Sequence, residues 1–552
     1  MQSEATTANY NAEVIVVGAG PVGLTTGCAL RHHGVDCLIL EERTEVRAYS
    51  RANNLWARPQ ELLASVGLRD AIAERAYPVR LVNFFMNGTP TTPIRIDDVT
   101  SPHPQVLYSG QDVIETTLIE TYEGRGGRMQ RGGKLVSVVQ DGDGVTVTVR
   151  RGDDGLEERL RCSYLVAADG AKSTARPLLD LDFEPERFEG RMNRQVDAKL
   201  SWRRSLEPDQ LWFFYYERGF CGVMPVWGGY HRLFFLADDG GVPDRDPTLD
   251  EIQAVAREVT GDETLTLSDP QWLTHSRFQY GVSPGYSRGR VFLAGDAGHL
   301  SLPIGGQGMN AGLHDAVEIA WRLAAVLRGQ AASVVLESYD AERGGEHARL
   351  SAQQAKGFRR TVYRGSVTDV ALGLAAKVVP GIGALLQGTD DLQQLSVSYP
   401  KSPLNEDHLS GVIHLLQRGP GAGERAPEAE VTVDGRTTSL FPFIYNPDGV
   451  TTGWALLCFD GRSTEAGASL RAAIEAVAPW GWVRPRFVLA GPVSEAEGAP
   501  VLSDLDGKAH GAYGLEGQSA LVLVRPDGHI AYRGAADRPE RLTAYCRRTF
   551  MT

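Results

Sequence analysis

The stretch EVIVVGAGPVG, residues 13–23, decides the fold of this chain. Its residues 14–17 are apolar and β-branched, which is typical of a strand covered on both faces in a parallel sheet. The Gly-x-Gly-x-x-Gly pattern that follows permits a tight turn, a close backbone approach to a pyrophosphate, and a helix whose free N–H groups face the phosphates. The stretch therefore predicts a dinucleotide site, with an ordinary strand-to-helix turn as the alternative. The predicted contacts are Gly18, Gly20, Pro21, Val22 and Gly23.

The residues after this turn complete a βαβ unit. A helix is predicted over residues 24–33, Gly34 is expected to end it, and residues 35–40 form a second apolar strand. A carboxylate about 20 residues beyond the glycines can accept the ribose hydroxyls of an adenosine. Glu41 and the adjacent Glu42 are the predicted contacts of this kind. The unit by itself does not separate FAD from NAD.

A strand that ends in Gly-Asp separates these two cofactors. RVFLAGDA, residues 290–297, is followed by the glycine-rich HLSLPIGGQGMN, residues 299–310, and by a predicted helix over residues 308–328. Asp296 can hold a hydroxyl of the ribityl chain, which FAD has and NAD lacks, although an N-cap carboxylate is the alternative. The helix start can stabilise negative charge on reduced flavin. The predicted contacts in the loop are Pro303, Gly305, Gly306, Gly308, Met309 and Asn310.

A third strand ends in Asp-Gly within YLVAADGAKSTAR, residues 164–176, and Asp169 and Gly170 are predicted to contact the cofactor. Asp-Gly is also common in ordinary turns. The three boxes in this order nevertheless resemble the class A (single-component) FAD-dependent aromatic hydroxylases, the group of para-hydroxybenzoate hydroxylase and phenol hydroxylase. The resemblance covers about residues 12–345 and extends to SRA at residues 50–52 and YDAER at residues 339–343.

The resemblance implies that Arg51 and Gln111 contact FAD, that Asp296 binds the ribityl chain, and that the Asp169 box supports the FAD pyrophosphate and NADPH use. It implies a monooxygenase that takes electrons from NADPH or NADH and delivers oxygen from O2 to an aromatic ring through a flavin C4a-hydroperoxide. A polyketide-derived substrate is one option. The alternatives are a Baeyer–Villiger or rearranging monooxygenase acting on a polycyclic ketone or quinone, and a non-catalytic FAD-binding protein.

The chain departs from the family pattern at several positions. Lys172 stands where the family usually has Arg, which makes NADPH recognition less certain, and Glu318 stands where Asn is common. Gly344 and Gly345 replace a frequent Arg-Pro pair. Some phenol hydroxylases carry an Asp at the place of Asn53 that helps to deprotonate the phenol. We therefore assign no general base.

Strands rich in aromatic residues lie between the second and third boxes. LWFFYY at 211–216, GFCGVMPVW at 219–227 and YHRLFF at 230–235 are predicted to be successive antiparallel strands. Alternate residues of a strand point to opposite faces, so one aromatic face can cover a substrate, or the aromatics can simply pack against a helix. The candidate substrate contacts are Asn53, Tyr216, Met224, Pro225, Phe235 and Pro303.

The predicted fold class is α/β, with a Rossmann-type FAD-binding domain interleaved with a mixed or antiparallel-sheet substrate domain. The β, α, β, β, β, α order of the tail, with RPDG at residues 525–528, resembles the thioredoxin-like tail of the phenol hydroxylase branch. The predicted boundaries are 12–75, 106–182 and 286–345 for the FAD domain, 76–105 and 183–285 for the substrate domain, 346–405 for a helical connector, and 406–552 for the tail.

Composition excludes several other classes of protein. The formal net charge is −13, so no basic surface is expected for nucleic acid. No apolar stretch is long enough to predict a membrane span, and no signal peptide is recognised, which indicates a cytoplasmic protein. The six cysteines lack metal-ligand or Cys-x-x-Cys spacing, so neither a metal nor a redox-active tail is expected. A homodimer and a small-molecule aromatic substrate are the expected partners.

Overall fold

The computed structural model describes residues 10–46, 52–152, 155–216, 219–238, 245–302, 304–352, 389–409, 419–446, 449, 451–462, 466–491 and 499–551. Arg51, Pro303 and much of the predicted helical connector lie outside these residues.

In chain order the strands are β1 (Val14–Val17), β2 (Cys37–Glu41), β3 (Asn54–Leu55), β4 (Tyr77–Val79), β5 (Leu81–Met86), β6 (Thr89–Pro90), β7 (Ile94–Arg95), β8 (Val106–Tyr108), β9 (Arg128–Arg131), β10 (Gly133–Gln140), β11 (Val145–Arg151), β12 (Leu156–Cys162), β13 (Tyr164–Ala167), β14 (Glu186–Ser201), β15 (Gln210–Tyr216), β16 (Gly219–Val226), β17 (Tyr230–Asp238), β18 (Thr266–Val282), β19 (Ser287–Arg288), β20 (Val291–Leu293), β21 (His299–Leu300), β22 (Glu406–Asp407), β23 (Glu430–Val433), β24 (Arg436–Ser439), β25 (Trp454–Phe459), β26 (Val483–Leu489), β27 (Val501–Ser503), β28 (Ala520–Val524) and β29 (Ile530–Ala535).

The α-helices are α1 (Pro21–His32), α2 (Ala57–Ser65), α3 (Arg69–Ala73), α4 (Gln111–Gly124), α5 (Ala175–Leu178), α6 (Leu249–Thr260), α7 (Gln307–Leu327), α8 (Val334–Tyr339), α9 (Thr389–Leu392), α10 (Phe441–Ile444), α11 (Gly467–Val477), α12 (Lys508–Ala512) and α13 (Pro539–Thr549). Short 3-10 turns cover Gly295–Ala297 and Ile304–Gly306, and a π-helical turn covers Asp340–Gly344.

The amino-terminal strand lies inside a six-stranded sheet with the order β19-β20-β13-β1-β2-β9. Val14 and Val16 pack in one core with apolar residues of α1 and α7. Ile15 and Val17 point to the other face and pack against the three-stranded sheet β10-β11-β12. Because both faces of this strand are covered, the residues that point to either face are apolar. The run is therefore apolar throughout. The predicted Rossmann-type fold is confirmed.

The second large sheet has nine strands in the order β21-β18-β14-β17-β16-β15-β5-β6, with β7 pairing with β5. The three aromatic segments form its antiparallel strands β15, β16 and β17. Helix α6 covers one face of this sheet, where Ile252 and Ala256 pack against Trp212, Phe214 and other side chains of the strands. The other face lies toward the six-stranded sheet's ligand edge, as described below.

The tail forms an eight-stranded sheet with the order β22-β29-β28-β25-β26-β27-β23-β24. Its central strand β25 is fully buried between α11 and α13 on one side and apolar residues such as Leu440 and Tyr513 on the other. All six cysteines of the chain are buried as free thiols. Burial raises the pKa of Cys458 on β25 to about 12, so this thiol stays protonated at neutral pH.

A search of the described helices found none with both the length and the hydropathy that a membrane crossing requires.

Candidate active site

Three of the predicted boxes meet at one edge of the six-stranded sheet. Strands β20, β13, β1 and β2 are neighbours and run parallel, so their carboxyl ends lie side by side. The N–H of Ala168 donates to the carbonyl of Val17 at 2.8 Å, and the N–H of Ala294 donates to the carbonyl of Ala167 at 2.9 Å. A Cβ on Gly18 would lie only 2.3 Å from the carbonyl oxygen of Ala168. The three boxes therefore lie side by side at the carboxyl edge of the sheet, the usual place for a ligand in such sheets.

The three glycines of the amino-terminal turn have different surroundings. A Cβ on Gly23 would lie 1.9 Å from the carbonyl oxygen of Gly18, so this position admits no side chain. A Cβ on Gly20 would meet no atom within 4 Å. Open space therefore lies beside the start of α1, which begins at Pro21 with its free N–H groups. These features fit the pyrophosphate of a dinucleotide.

Glu41 is held in place by the turn that it follows. Its Oε2 accepts the N–H of Ala19 at 2.7 Å, and its Oε1 accepts the backbone N–H and the Nε–H of Arg43 at 2.9 Å each. Burial acts to raise the pKa of Glu41, but these hydrogen bonds outweigh it and hold the pKa below the ordinary value. The carboxylate is therefore charged at neutral pH. Glu42 is exposed and lies 3.5 Å from Lys134, in a surface ion pair.

Val22 joins the amino-terminal turn to the Gly-Asp box. A Cβ on Gly295 would lie 2.7 Å from Cγ2 of Val22, and a Cβ on Gly312 would lie 2.6 Å from the same atom. The N–H of Gly295 donates to Oδ2 of the buried Asp315 at 2.9 Å. Both glycines therefore let α1, α7 and the end of β20 approach closely, and Asp296 lies exposed at the resulting crevice.

The carboxylate of Asp169 accepts hydrogen bonds within the turn that follows β13. Its Oδ2 accepts the N–H groups of Thr174 and Ala175 at 2.7 and 3.0 Å, which ends the strand and starts α5. Sequence reasoning gave no role to Arg176, which proves to bridge two boxes. Its Nη1 donates to the carbonyl of Ala297 at 3.1 Å, and its Nε donates to Asp182 at 2.9 Å. The signal available in the sequence was an arginine in the turn that follows an Asp-Gly pair.

The Gly305–Gly306 loop lies at the start of α7 with left-handed backbone at both glycines, φ +69° and +64°. A Cβ on Gly306 would lie 2.0 Å from Oδ1 of Asn54, so only glycine fits there. Nδ2 of Asn310 donates to the carbonyls of Gly306 and Asn54 at 2.7 and 3.0 Å. The indole N–H of Trp56 donates to the carbonyl of Gly305 at 2.7 Å. Gly308 and Met309 lie half-buried in the first turn of α7.

Gln111 and Asn53 connect this loop region to the nine-stranded sheet. Oε1 of Gln111, at the start of α4, accepts the N–H of Ala52 at 3.2 Å. Asn53 is buried, and its Nδ2 lies 3.7 Å from Sδ of Met224 on β16. The Asn53 side chain that contacts the sheet is therefore an amide, which acts as neither an acid nor a base.

The face of the nine-stranded sheet that points away from α6 is called the roof face here. Register pairs Arg232 with Met224, Phe234 with Gly222, and Gly222 with Phe213, so these residues share the face. Trp56 and Leu392 both contact the Gly305–Gly306 loop, and they pack in one cluster with Met224 of the roof face. Its half-buried aromatic side chains form one continuous wall with ring centroids 4.9 to 6.2 Å apart: Phe84, Phe213, Tyr215, Phe220 and Phe234.

The sequence candidates divide between the two faces. Met224 lies on the roof face, whereas Phe235 and Tyr216 pack in the cluster that includes α6. Pro225 follows Met224 in the strand and therefore points to the α6 side. Phe235 and Tyr216 therefore follow the alternative prediction, that these aromatic side chains pack against a helix. The aromatic residues of the roof face alternate with these candidates along the strands. The sequence pattern alone did not favour them as substrate contacts.

Polar side chains on β14 interrupt the roof face. Asn193 and Gln195 pair in register with Leu236 and Phe234 and are 2% and 8% exposed. Within the described part of the chain, Asn193 Oδ1 and Gln195 Oε1 have no hydrogen-bond partner. Buried carbonyl oxygens of this kind are costly unless a donor reaches them. Sequence reasoning missed both residues, because amides on a strand are usually assigned to a solvent-facing side.

A buried ionic network fills the space between α7, α2 and the tail. Glu318, the departure from the family's Asn, accepts hydrogen bonds from Arg322 and, at 3.3 Å, from the indole of Trp321. Arg525 of the tail lies 4.0 Å from Glu318 and binds Glu342 at 2.6 Å. The tail thus supplies countercharge to a helix of the FAD domain. The arginines of the network are Arg58, Arg322, Arg343, Arg425 and Arg525, and its carboxylates are Glu61, Asp315, Glu318, Glu342 and Asp527.

His299, Asp315 and His347 lie close enough together to suggest a metal centre, but their geometry opposes it. The two imidazole rings stack with centroids 3.6 Å apart and planes within 16°, so their lone pairs run side by side and do not converge on one point. Arg343 donates to Asp315 at 2.6 Å and would repel a cation. The cluster is therefore better explained as packing beneath the Gly-Asp box.

The crevice, the glycine loop and the roof face together define an FAD-dependent oxidoreductase with a covered substrate space. The FAD binding domain family matches residues 11–354, and the family of aromatic-ring hydroxylase C-terminal domains matches residues 419–552. The chain belongs to the class A FAD-dependent aromatic monooxygenases.

The chain is similar to several named monooxygenases and to a solved hydroxylase structure. A rifampicin monooxygenase of Streptomyces venezuelae is 37% identical over 340 residues, which are 60% of this chain and 68% of that protein. A 12-dehydrotetracycline 5-monooxygenase/anhydrotetracycline 6-monooxygenase of Streptomyces rimosus is 29% identical over 95% of this chain and 96% of its own length. The crystal structure of aklavinone-11 hydroxylase with FAD and aklavinone is 27% identical, covers 98% of this chain and 99% of its own, and superposes with a TM-score of 0.76.

Proposed function

We propose that this monooxygenase hydroxylates a polycyclic, polyketide-derived phenol that binds between the roof face and the Gly305–Gly306 loop. The observation that carries the proposal is the continuous aromatic wall on the roof face, part of which packs with Trp56 and Leu392, the neighbours of the glycine loop. Aromatic side chains bind flat apolar rings with large contact area and preferred offset stacking. The names of three proteins similar to this chain, which refer to tetracyclines, rifampicin and aklavinone, support the same substrate class, whereas another is named for pentachlorophenol.

The size of the wall favours several fused rings over a single phenol. It runs across strands from Phe84 on β5 to Phe234 on β17, with Phe213 and Phe220 between them. Neighbouring strands of a sheet lie about 4.8 Å apart, so this wall is longer than one benzene ring. The unpartnered oxygens of Asn193 and Gln195 lie at its β14 side and would accept hydrogen bonds from phenolic hydroxyls.

The residues of the chain position the reaction and keep water away from it. Bound FAD, reduced by NADPH or NADH, supplies the oxygen-transfer chemistry. The turn at Gly18 and Gly20 would hold its pyrophosphate, Glu41 its adenosine and Asp296 its ribityl chain, and the positive end of α7 would stabilise negative charge on it. The roof face covers the opposite side and excludes water. Asn53, which lies beside Met224, offers no carboxylate to accept a proton, and we assign no general base.

The test is a turnover assay with substrates of graded ring number. The purified chain loaded with FAD should oxidise NADPH or NADH fastest with polycyclic phenols. Mass spectrometry should show one added oxygen atom, and NMR spectroscopy of the product should place it on a ring carbon. Oxygen inserted into a carbon–carbon bond, or turnover only with single-ring phenols, would refute the proposal.

Neighbouring residues provide a matched pair of variants. Phe213→Leu removes an aromatic ring from the roof face and should raise KM for a polycyclic phenol about tenfold. Phe214→Leu alters the α6 face and should lower stability with KM unchanged. Equal effects of both variants on KM would contradict binding at the roof face. A cytoplasmic location and a homodimer stay predictions from the sequence.

A further inference from the structure

One of the contacts between the tail and the FAD domain is a buried turn, residues 525–529, called the tail turn here. Arg525, Asp527 and His529 have no exposed surface. We infer that the tail turn positions the Gly305–Gly306 loop against the flavin, and that Arg58 is the positioning residue that connects the two. This inference rests on the proposed placement of the flavin at that loop.

Arg58 is held mainly by the tail. Its Nη2 donates to the carbonyl of Asp527 at 2.5 Å and lies 3.5 Å from Nδ1 of His529. Its Nη1 donates to the hydroxyl of Tyr445 at 2.7 Å and to Glu61 at 3.0 Å. Arg58 belongs to the first turn of α2 and is fully buried. The start of α2 is therefore linked to the tail by a buried guanidinium whose Nη1 and Nη2 have partners, while its Nε has none among the described residues.

The residues that hold the glycine loop directly precede Arg58. The indole of Trp56 donates to the carbonyl of Gly305, and the backbone N–H of Trp56 donates to Oδ1 of Asn310 at 2.9 Å. Asn54 fills the space that a Cβ on Gly306 would need. A displacement of the start of α2 would therefore move the loop's neighbours on one side.

A second connection runs through the segment after α9. Nε2 of His529 lies 3.2 Å from the carbonyl of Val397. Earlier in this segment, Gln393 accepts the backbone N–H groups of Ala57 and Arg58 at 3.1 and 3.2 Å. Gln307, the first residue of α7, donates to the carbonyl of Leu392 at 2.8 Å.

The Leu392 side chain completes this second connection. A Cβ on Gly305 would lie 2.6 Å from its Cδ1. The tail turn thus supports the loop from two sides. Since the two glycines have no side chains to anchor them, their neighbours determine where the loop lies.

The decisive variant is Arg58→Lys, which keeps the charge but loses the forked geometry. We expect its affinity for FAD to fall about tenfold, a change typical of the coupling between two distinct sites. The visible absorption bands of the bound flavin should shift, because the loop lies against the ring. Both measurements are made on the holoenzyme without substrate.

Tyr445→Phe removes one acceptor of Arg58 from the tail side without burying an unpaired charge. This variant should change the FAD affinity and the flavin absorption in the same direction as Arg58→Lys but to a smaller extent. It also provides a test if Arg58→Lys fails to fold.

The matched control is His510→Asn, which disturbs only the tail's own core. His510 contacts Asp460 and Asp504 at 2.9 and 2.7 Å. It should lower the melting temperature while FAD affinity and the flavin spectrum stay as in the wild type. Wild-type flavin properties in both Arg58→Lys and Tyr445→Phe, or equal changes in His510→Asn, would overturn the inference. A wild type that binds FAD but hydroxylates no polycyclic phenol would instead overturn the proposed function and leave this result intact.

Discussion

The two faces of the nine-stranded sheet are built by the same strands but are packed differently. On the α6 side, Phe235 is 2% exposed and Phe214 is 1% exposed. On the roof face, their immediate neighbours Phe234 and Phe213 are only half-buried. Aromatic residues thus serve as core on one side and as a prospective binding wall on the other. Composition did not distinguish the two roles, because the difference lies in what each face is packed against.

The largest expected effect comes from truncating the α6 face. Phe235→Ala leaves a cavity in a closed core and should lower the free energy of unfolding by about 3 to 5 kcal/mol. Phe234→Ala, one residue away on the roof face, should cost about 1 kcal/mol. Urea denaturation of both variants with FAD bound measures the difference. Equal losses would show that the roof face is also closed core, and the comparison between the faces would fail.

A smaller effect is expected from the polar row of the roof face. Gln195→Leu removes a buried oxygen that has no partner among the described residues, so stability should be unchanged or slightly higher. KM for a polycyclic phenol should rise about fivefold, the loss of one neutral hydrogen bond.

An O-methylated substrate analogue provides the control for this prediction. It should bind the wild type and the variant equally, because it offers no donor to the missing oxygen. A variant that loses the same factor for both compounds would exclude a hydrogen bond from Gln195 to the substrate.

The smallest expected effect is a pH dependence of stability that comes from a histidine on the α6 face. Burial lowers the pKa of His231 from 6.5 to about 4, and this residue pairs in register with Ala198 of the α6 core. The unfolded chain therefore binds more protons between about pH 4 and 6.5, so stability is complete above pH 6.5 and declines as pH falls through this window.

His231→Asn should reduce this decline. The measurement is the melting temperature of both chains between pH 4 and 7. An unchanged pH dependence in the variant would place the proton uptake elsewhere.

The βαβ unit was predictable because its signals are local. The glycine spacing, the apolar run and Glu41 each follow from chemistry within a few residues, and the helix predicted over residues 24–33 is observed as Pro21–His32. The helix predicted over residues 308–328 is observed as Gln307–Leu327. Propensity and periodicity suffice for such elements. The individual cofactor contacts stay predictions, although the structure brings their boxes to one edge.

The roof face could not be assigned in the same way. Alternation in a strand separates Phe213 from Phe214 but does not say which of them meets a helix. That depended on α6, which lies more than thirty residues later in the sequence. Likewise, the role of Arg58 required the tail turn, more than four hundred residues away in sequence.

The amino-acid sequence by itself determined the fold class and the cofactor-binding boxes, because each depends on short-range periodicity and turn chemistry. Only the tertiary structure decided which aromatic face is open, which buried amides lack partners and how the tail supports the glycine loop. These properties are set by contacts between segments distant in the chain, where burial and charge pairing arise only once the layers have packed together.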